Sequence, residues 1–386
     1  MTSSRPPWLE PRTAYVHVPF CGHHCGYCDF AVAAGQDHLI ELYLDALAME
    51  LATLREPRPV ESLFIGGGTP TYLSPVQLDR LLSSLALWFR PDSPSFEFTV
   101  ESTPESLDAD RVHVLADHGV NRVSIGVQSF DPATLSALER QHGVTHIPRA
   151  VEAVRKRINA LSFDLIFSAP GQTSTMWEND LTQALSYDLD HISTYGLTYE
   201  KGTPLWKDRS RGLVRTVAED DELAMYEFAI DRLTAAEFEH YEISNFAKTG
   251  KQSIHNRRYW ANEAYYGFGV GAARYVDGVR ELNVRNTQDY VRRVLSGESP
   301  TFQSERLADR DRAFETVATQ LRRMEGIDRE RFREQTGFDL DSLLGSRLDN
   351  LVQQGLLRSD AQGVRLTRTG KFVADGIIED LLKANA

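Results

Sequence analysis

The sequence predicts an α/β fold: a partial, TIM-like (β/α)6 barrel followed by a smaller winged-helix-like α+β domain. Three observations carry this reading. From residue 13 onward, short β-rich runs alternate with longer amphipathic stretches, the order that gives parallel strands joined by crossover helices. Each strand candidate ends in glycine or polar residues, as expected where parallel strands deliver functional groups to the C-terminal mouth of a barrel. Past residue 306 the pattern changes to three helical stretches and a hairpin.

The strand candidates are residues 14–18, 60–65, 95–100, 122–127, 162–167 and 191–195, and the amphipathic stretches between them are 39–54, 75–89, 104–118, 147–158 and 175–187. Ser74-Pro75, Thr103-Pro104 and Asp131-Pro132 each place a capping residue before a proline at the first helical position, so helices are expected to begin there. Residues 1–12 are polar and Pro-rich and are expected to form a tail. The barrel is expected over 13–240, an extension over 241–300 and the C-terminal domain over 301–386, with helices at 312–324, 328–336 and 340–354.

Composition narrows the function classes. With 386 residues, 41% of them hydrophobic and 25% charged, the chain has the make-up of a soluble globular protein. Its net charge of −13 gives no whole-chain electrostatic footprint for nucleic acid or anionic lipid. Residues 301–386 hold 14 Lys/Arg against 15 Asp/Glu, and helix 340–354 carries Arg347 as its one base. A winged helix so poor in clustered bases is not expected to neutralise phosphates, and no nucleic-acid partner is expected. No run approaches the roughly 20 apolar residues of a spanning helix, so no integral membrane segment is expected, and peripheral membrane contact stays open. The expected location is the cytoplasm, whose reducing conditions suit the chemistry below.

That chemistry begins at Cys21-Gly-His-His-Cys25-Gly-Tyr-Cys28, which contains every cysteine in the chain. Three thiolates are an odd set for disulfides and an incomplete set for a closed tetrahedral zinc site. They suit a [4Fe–4S] cluster with one open iron, since four thiolates normally hold such a cube. A Cys3His zinc site completed by His23 or His24 stays open at this point. In Gly66-Gly-Gly-Thr-Pro-Thr71, backbone without Cβ atoms can approach a ligand closely and present N–H groups. Glu101 and Asp164 are candidate acceptors for an amine or ribose hydroxyl, and Arg140 is a candidate partner for a carboxylate.

The CxxxCxxC spacing, with Tyr27 just before the third cysteine, resembles the signature of the radical S-adenosylmethionine (SAM) superfamily. The resemblance implies that the open iron takes SAM and that an electron from the cluster yields a 5′-deoxyadenosyl radical. Tyr15, Gly66-Gly-Gly-Thr-Pro-Thr71, Glu101, Gly126-Val-Gln128-Ser-Phe130, Arg140 and Asp164-Leu-Ile further resemble the oxygen-independent coproporphyrinogen III oxidase family and its heme-chaperone relatives, from about Thr13 onward. It implies a radical SAM barrel, a cluster on Cys21, Cys25 and Cys28, and SAM contacts at Tyr15, Tyr27, Gly67, Gly68, Thr69, Glu101, Gln128, Arg140 and Asp164.

Within that family the oxidase decarboxylates two propionates of its substrate, whereas the chaperones bind heme and deliver it to acceptor hemoproteins. The oxidase pattern continues with a further cysteine two residues after the third, where this chain has Phe30. The oxidase is also expected to carry a longer segment ahead of the cysteines than the 20 residues present here. Finally, His255-Asn256-Arg-Arg-Tyr259-Trp260 resembles the HNxxYW motif of the chaperones. A neutral imidazole is a standard heme-iron ligand, and Tyr259 and Trp260 offer flat apolar faces to a macrocycle. The expected activity is therefore that of a heme chaperone, with the coproporphyrinogen oxidase as the alternative and a cluster-dependent homodimer as an assembly the family allows. Where many relatives carry another histidine this chain has Ala273, and Gly267, Gly269 and Gly271 are expected to be tight backbone beside the barrel rather than a dinucleotide fingerprint.

Overall fold

Six parallel strands, Thr13–Val18, Ser62–Gly67, Glu97–Ser102, Arg122–Gln128, Ala160–Phe167 and His191–Gly196, stand side by side in chain order in a computed structural model that describes residues 6–383. Residues 1–5 of the expected tail and 384–386 of the expected C-terminal domain lie outside the described residues. These strands alternate with period two: Ala14, Val16, Val18, Ile65, Val100, Val123, Ile125 and Leu165 are buried on the face turned to the helices, while Tyr15, Phe64, Glu101, Gln128, Asp164 and Tyr195 line the barrel interior. The intervening helices include Ile40–Leu51, Pro75–Trp88, His146–Arg155 and Ser174–Leu185. Ser74 and Asp131 cap their helices as expected, through backbone N–H groups of Gln77 (3.3 Å) and Thr134 (2.7 Å).

Thr103-Pro104 does not start a helix. Ser106 Oγ instead bonds the backbone of Thr103 on both its N–H (3.2 Å) and its carbonyl (3.0 Å), closing a turn that competes with helix formation. The helix Ala109–Asp117 begins only after the Asp108 cap.

The barrel is open, and its two edges differ. Beyond the first strand a further parallel strand, Tyr266–Phe268, pairs with residues 14–16. Beyond the sixth, the antiparallel hairpin Glu239–Glu242 and Asn245–Ala247 completes the sheet. The chain between these edges forms the helix Ile254–Trp260, which meets Ser62 and Glu97, the first residues of their strands, and so lies at the foot of the barrel, opposite the mouth. The glycine run behaves as tight backbone: a Cβ on Gly267 would sit 1.8 Å from the Ala273 carbonyl oxygen, and one on Gly269, at φ +97°, 2.5 Å from the Tyr43 hydroxyl. The Gly269 N–H binds the buried Glu50 carboxylate (2.8 Å), which also accepts from Asn283 (2.7 Å) and Tyr290 (2.6 Å).

The C-terminal region has its own core, built on Phe314, Val317, Leu321, Phe332, Leu348, Leu351, Ile377 and Leu381. The single helix expected over 340–354 is two, Leu340–Leu344 and Ser346–Gln353, because Gly345 adopts φ +55° and ψ −140°, a conformation open to glycine alone. The hairpin Leu357–Ser359 and Gly363–Leu366 gains a third strand, Ile327–Asp328, and two further helices, Arg368–Phe372 and Ala374–Leu382, cover the core. Arg347, the one base of the expected recognition helix, pairs with Asp380 (2.9 Å). The side-chain amides of Gln320 and Gln335 clasp the end of the Ile254–Trp260 segment through the Ala261 and Asn262 carbonyls (3.0 Å each), seating this region against the foot of the barrel.

Candidate functional site

The polar strand ends converge. A cavity of about 510 Å³ at the barrel mouth is lined by Cys21, Cys25, Tyr27 and Cys28 on one side and by Gly67, Gly68, Thr69, Glu101, Gln128, Arg140 and Asp164 on the other. The cysteine loop is held against the glycine loop by backbone bonds from Gly68 N–H to Val18 O and from Thr69 N–H to Phe20 O, both 2.8 Å. Thr69 Oγ1 also lies 3.1 Å from Cys21 Sγ. This contact requires glycine at 68, where a Cβ would stand 2.5 Å from the Pro19 carbonyl oxygen.

The electrostatics of the mouth are polarised. Arg140 donates to Cys25 Sγ (3.6 Å) and to the Gly126 carbonyl (3.1 Å), while its Nε is buried without a partner among the described residues. Burial raises the Cys25 thiol pKa, against the lowering influence of Arg140, and pushes Cys28 up to about 11, so a metal would have to displace both protons. Opposite, burial and then the neighbouring Asp164 push the Glu101 carboxyl up to about 7, although the Gly67 N–H donates to it (3.0 Å). Asp164, also raised by burial, accepts from Ser124 Oγ at 3.0 Å. Gln128 adopts φ +63° at a bulge in the fourth strand, which re-aims its side chain toward the mouth. His24 Nε2 contacts the Cys28 carbonyl (3.0 Å) and His23 lies 3.8 Å from Glu139. Among the described residues, no three His, Cys, Asp or Glu groups are drawn together tightly enough for a single metal ion.

A second cavity, of about 340 Å³, shares Phe30, Gly67, Glu101 and Tyr195 with the first and runs down the barrel to the foot. Its walls are largely aromatic, with Tyr15, Phe64, Tyr195, His255, Tyr259, Trp260 and Tyr265, and carry a polar side formed by Glu242, Ser244, Asn245 and Asn256, with Ala273 completing the lining. The His255 ring stacks on Phe64 at 4.9 Å, and burial lowers its pKa to about 4, so the imidazole is neutral at physiological pH. Trp260 is covered by the Arg322 guanidinium at 5.1 Å. Asn256 also bonds Tyr241, whose hydroxyl meets His191 (2.8 Å), so part of its role is to fix the helix. Tyr15, expected beside the mouth candidates, lines this second cavity instead, its hydroxyl 3.0 Å from His17 Nδ1.

Residues 15–184 match the model of the radical SAM superfamily, and residues 307–373 match the HemN C-terminal domain. The heme chaperone HemW of Bacillus subtilis is 36% identical over 371 residues, which are 95% of this chain and 98% of the relative. The chain belongs to the HemW family. HemW of Escherichia coli is 33% identical, with 96% of this chain and 98% of the relative covered. Mouse radical S-adenosyl methionine domain-containing protein 1, mitochondrial, is 32% identical over 95% of this chain and 86% of its own length. Among solved structures, coproporphyrinogen III oxidase (HemN) of Escherichia coli superposes with a TM-score of 0.83 at 22% identity, covering 98% of this chain and 91% of that one, which shows a common fold. Among the described residues of this HemW-family chain, no helix is long and apolar enough to cross a membrane.

The sequence pattern left several residues of these two cavities unnamed. Phe64 sits at an inward position of the second strand, where period-two alternation could have flagged it, and Glu242, Ser244, Asn245 and Tyr265 come from the two sheet edges. Glu97, 7% exposed, accepts from Ser253 Oγ (3.0 Å) and from the backbone N–H groups of Ile254 (2.9 Å) and His255 (3.3 Å). No local signal points to that contact, since 156 residues separate Glu97 from Ser253.

Proposed function

We propose that this chain is a heme chaperone that binds heme in the aromatic cavity through His255 and passes it to acceptor hemoproteins. The observation that carries this reading is a neutral imidazole in the wall of a cavity lined by seven other aromatic side chains alongside Glu101, Glu242, Ser244, Asn245 and Asn256, in a chain that aligns over 95% of its length with a relative named heme chaperone. Tyr259 and Trp260 supply apolar surface to the macrocycle, and Asn256 keeps their helix in place.

The mouth is the site for a [4Fe–4S] cluster on Cys21, Cys25 and Cys28 and for SAM. The residues fit these groups: the unpartnered Arg140 Nε is available to an anion, and the Glu101 and Asp164 carboxyls form an acceptor pair for an amine or ribose hydroxyls. Gly67, Gly68 and Thr69 bring backbone close to a ligand, Tyr27 covers it, and Gln128 offers an amide. A cluster held by these cysteines would supply a single electron to the sulfonium of a bound SAM. The shared wall formed by Gly67, Glu101 and Tyr195 puts a ligand in the aromatic cavity next to one at the mouth. Tyr15 serves the heme cavity rather than SAM on this reading. The protein works in the cytoplasm, as a cluster-dependent homodimer, with at most peripheral membrane contact.

The test is transfer. Heme-loaded protein is mixed with an apo-hemoprotein and the acceptor's absorbance is followed, while coproporphyrinogen consumption and 5′-deoxyadenosine formation are assayed on the same anaerobically reconstituted sample. Transfer without decarboxylation is the expected result. Decarboxylation would establish the oxidase alternative and show that Phe30, where that enzyme has a cysteine, does not discriminate the two.

A further inference from the structure

His255 is fixed on three sides. Its backbone N–H is held by Glu97, its ring plane by stacking on Phe64, and its rotation by Ser62, whose Oγ lies 3.3 Å from Nδ1. Ser62 is fully buried, opens the second barrel strand and does not itself line the aromatic cavity. Nε2 has no hydrogen-bond partner among the described residues, while the His255 ring lines the cavity. The two ring nitrogens therefore differ in employment. A histidine that ligates a metal through one nitrogen commonly donates the N–H of the other to a fixed acceptor, which sets the tautomer.

We infer that Ser62 is a positioning residue: by accepting a hydrogen bond from Nδ1–H it holds His255 in the Nδ1-protonated tautomer and leaves the Nε2 lone pair facing the aromatic cavity, ready for the iron of a metalloporphyrin. The opposite arrangement, with the Ser62 hydroxyl donating to Nδ1, would present Nε2–H to the cavity and could not ligate iron. The inference rests on the heme reading, but its first readout does not require heme.

Long-range proton–nitrogen correlation on protein labelled at histidine nitrogen, without heme, reports the tautomer, with His255 assigned by its loss in His255→Gln. The expected result is an Nδ1–H tautomer in the wild type, a shift toward Nε2–H in Ser62→Ala, and recovery in Ser62→Thr. Hemin titration of the same proteins is then expected to show affinity weakened about 10-fold in Ser62→Ala, the scale of second-sphere losses at metal sites, with an altered ferric EPR g-spread and restoration by threonine. An Nε2–H tautomer in the wild type would overturn the inference whether or not Ser62→Ala folds. So would wild-type hemin affinity and EPR in Ser62→Ala alongside a His255→Ala protein that has lost them. If His255→Ala keeps the wild-type heme spectrum, the heme reading itself fails, whatever the tautomer proves to be.

Discussion

Gly68→Ala should uncouple the glycine loop from the cysteine loop. The added methyl would stand 2.5 Å from the Pro19 carbonyl oxygen, 2.7 Å from that of Phe20 and 2.7 Å from the Pro19 carbonyl carbon. All three are backbone atoms of the segment leading into Cys21, so no side chain can swing aside. Reaching an ordinary contact of about 3.5 Å requires the loops to part by about 1 Å. That movement would stretch the two 2.8 Å backbone bonds that join them, Gly68 to Val18 and Thr69 to Phe20, and carry Thr69 away from Cys21. Overpacking against unyielding atoms costs about 1–3 kcal/mol, and the upper end is expected here. Gly171→Ala is the control: its φ of +76° brings strain, but nothing lies within 4 Å of the new Cβ. Urea unfolding should show a larger loss for Gly68→Ala than for the control. Iron and sulfide content after anaerobic reconstitution should fall in Gly68→Ala alone. Wild-type stability and iron content in Gly68→Ala would refute the claim that this contact positions the cysteine loop.

Other consequences concern the buried carboxyls. Glu101 is held at about 7 against an ordinary 4.5, so the folded chain keeps its proton longer than the unfolded chain, and its contribution to stability falls as pH rises from 4.5 to 7. Glu101→Gln should therefore gain stability relative to wild type between pH 5 and pH 8 in urea unfolding; equal pH profiles would contradict the burial argument. SAM affinity of the reconstituted wild type should rise through pH 7 as Glu101 ionises, and equilibrium dialysis of Glu101→Gln should show a weaker, flatter dependence. Asp180 accepts from Ser129 Oγ (2.7 Å), Phe130 N–H (2.7 Å) and Gln172 Nε2 (3.3 Å). Asp180→Ala should cost about 2–4 kcal/mol in denaturant unfolding by leaving these buried donors unpaired, and Asp180→Asn should cost less.

Much of the mouth was legible because neighbours in the barrel are neighbours in sequence. Six strands in chain order turn six polar strand ends into one rim, so Cys21, Gly67, Glu101, Gln128 and Asp164 could be gathered from the alternation alone. At the foot, the HNxxYW motif marked His255, Asn256, Tyr259 and Trp260 but not the barrel residues they meet. Ser62 and His255 are 193 residues apart, and nothing near either names the other. The strand Tyr266–Phe268 is too short and glycine-rich to announce itself, yet it closes one edge and leaves Ala273 in the cavity wall. Tyr15 lies six residues before Cys21, and as an inward-facing strand residue it lines the second cavity, below the mouth. The missed break at Gly345 and the late start at Ala109 were decided by backbone conformation and a local side-chain bond, which hydrophobic periodicity does not sense.

Whether His255 at the foot of the barrel ligates heme is decided by titrating hemin into anaerobically reconstituted wild type and His255→Ala and recording the Soret band. Saturable binding with a histidine-ligated spectrum is expected in the wild type, and loss of that spectrum in the variant with iron, sulfide and SAM binding intact. An unchanged Soret band and affinity in His255→Ala would contradict ligation by His255.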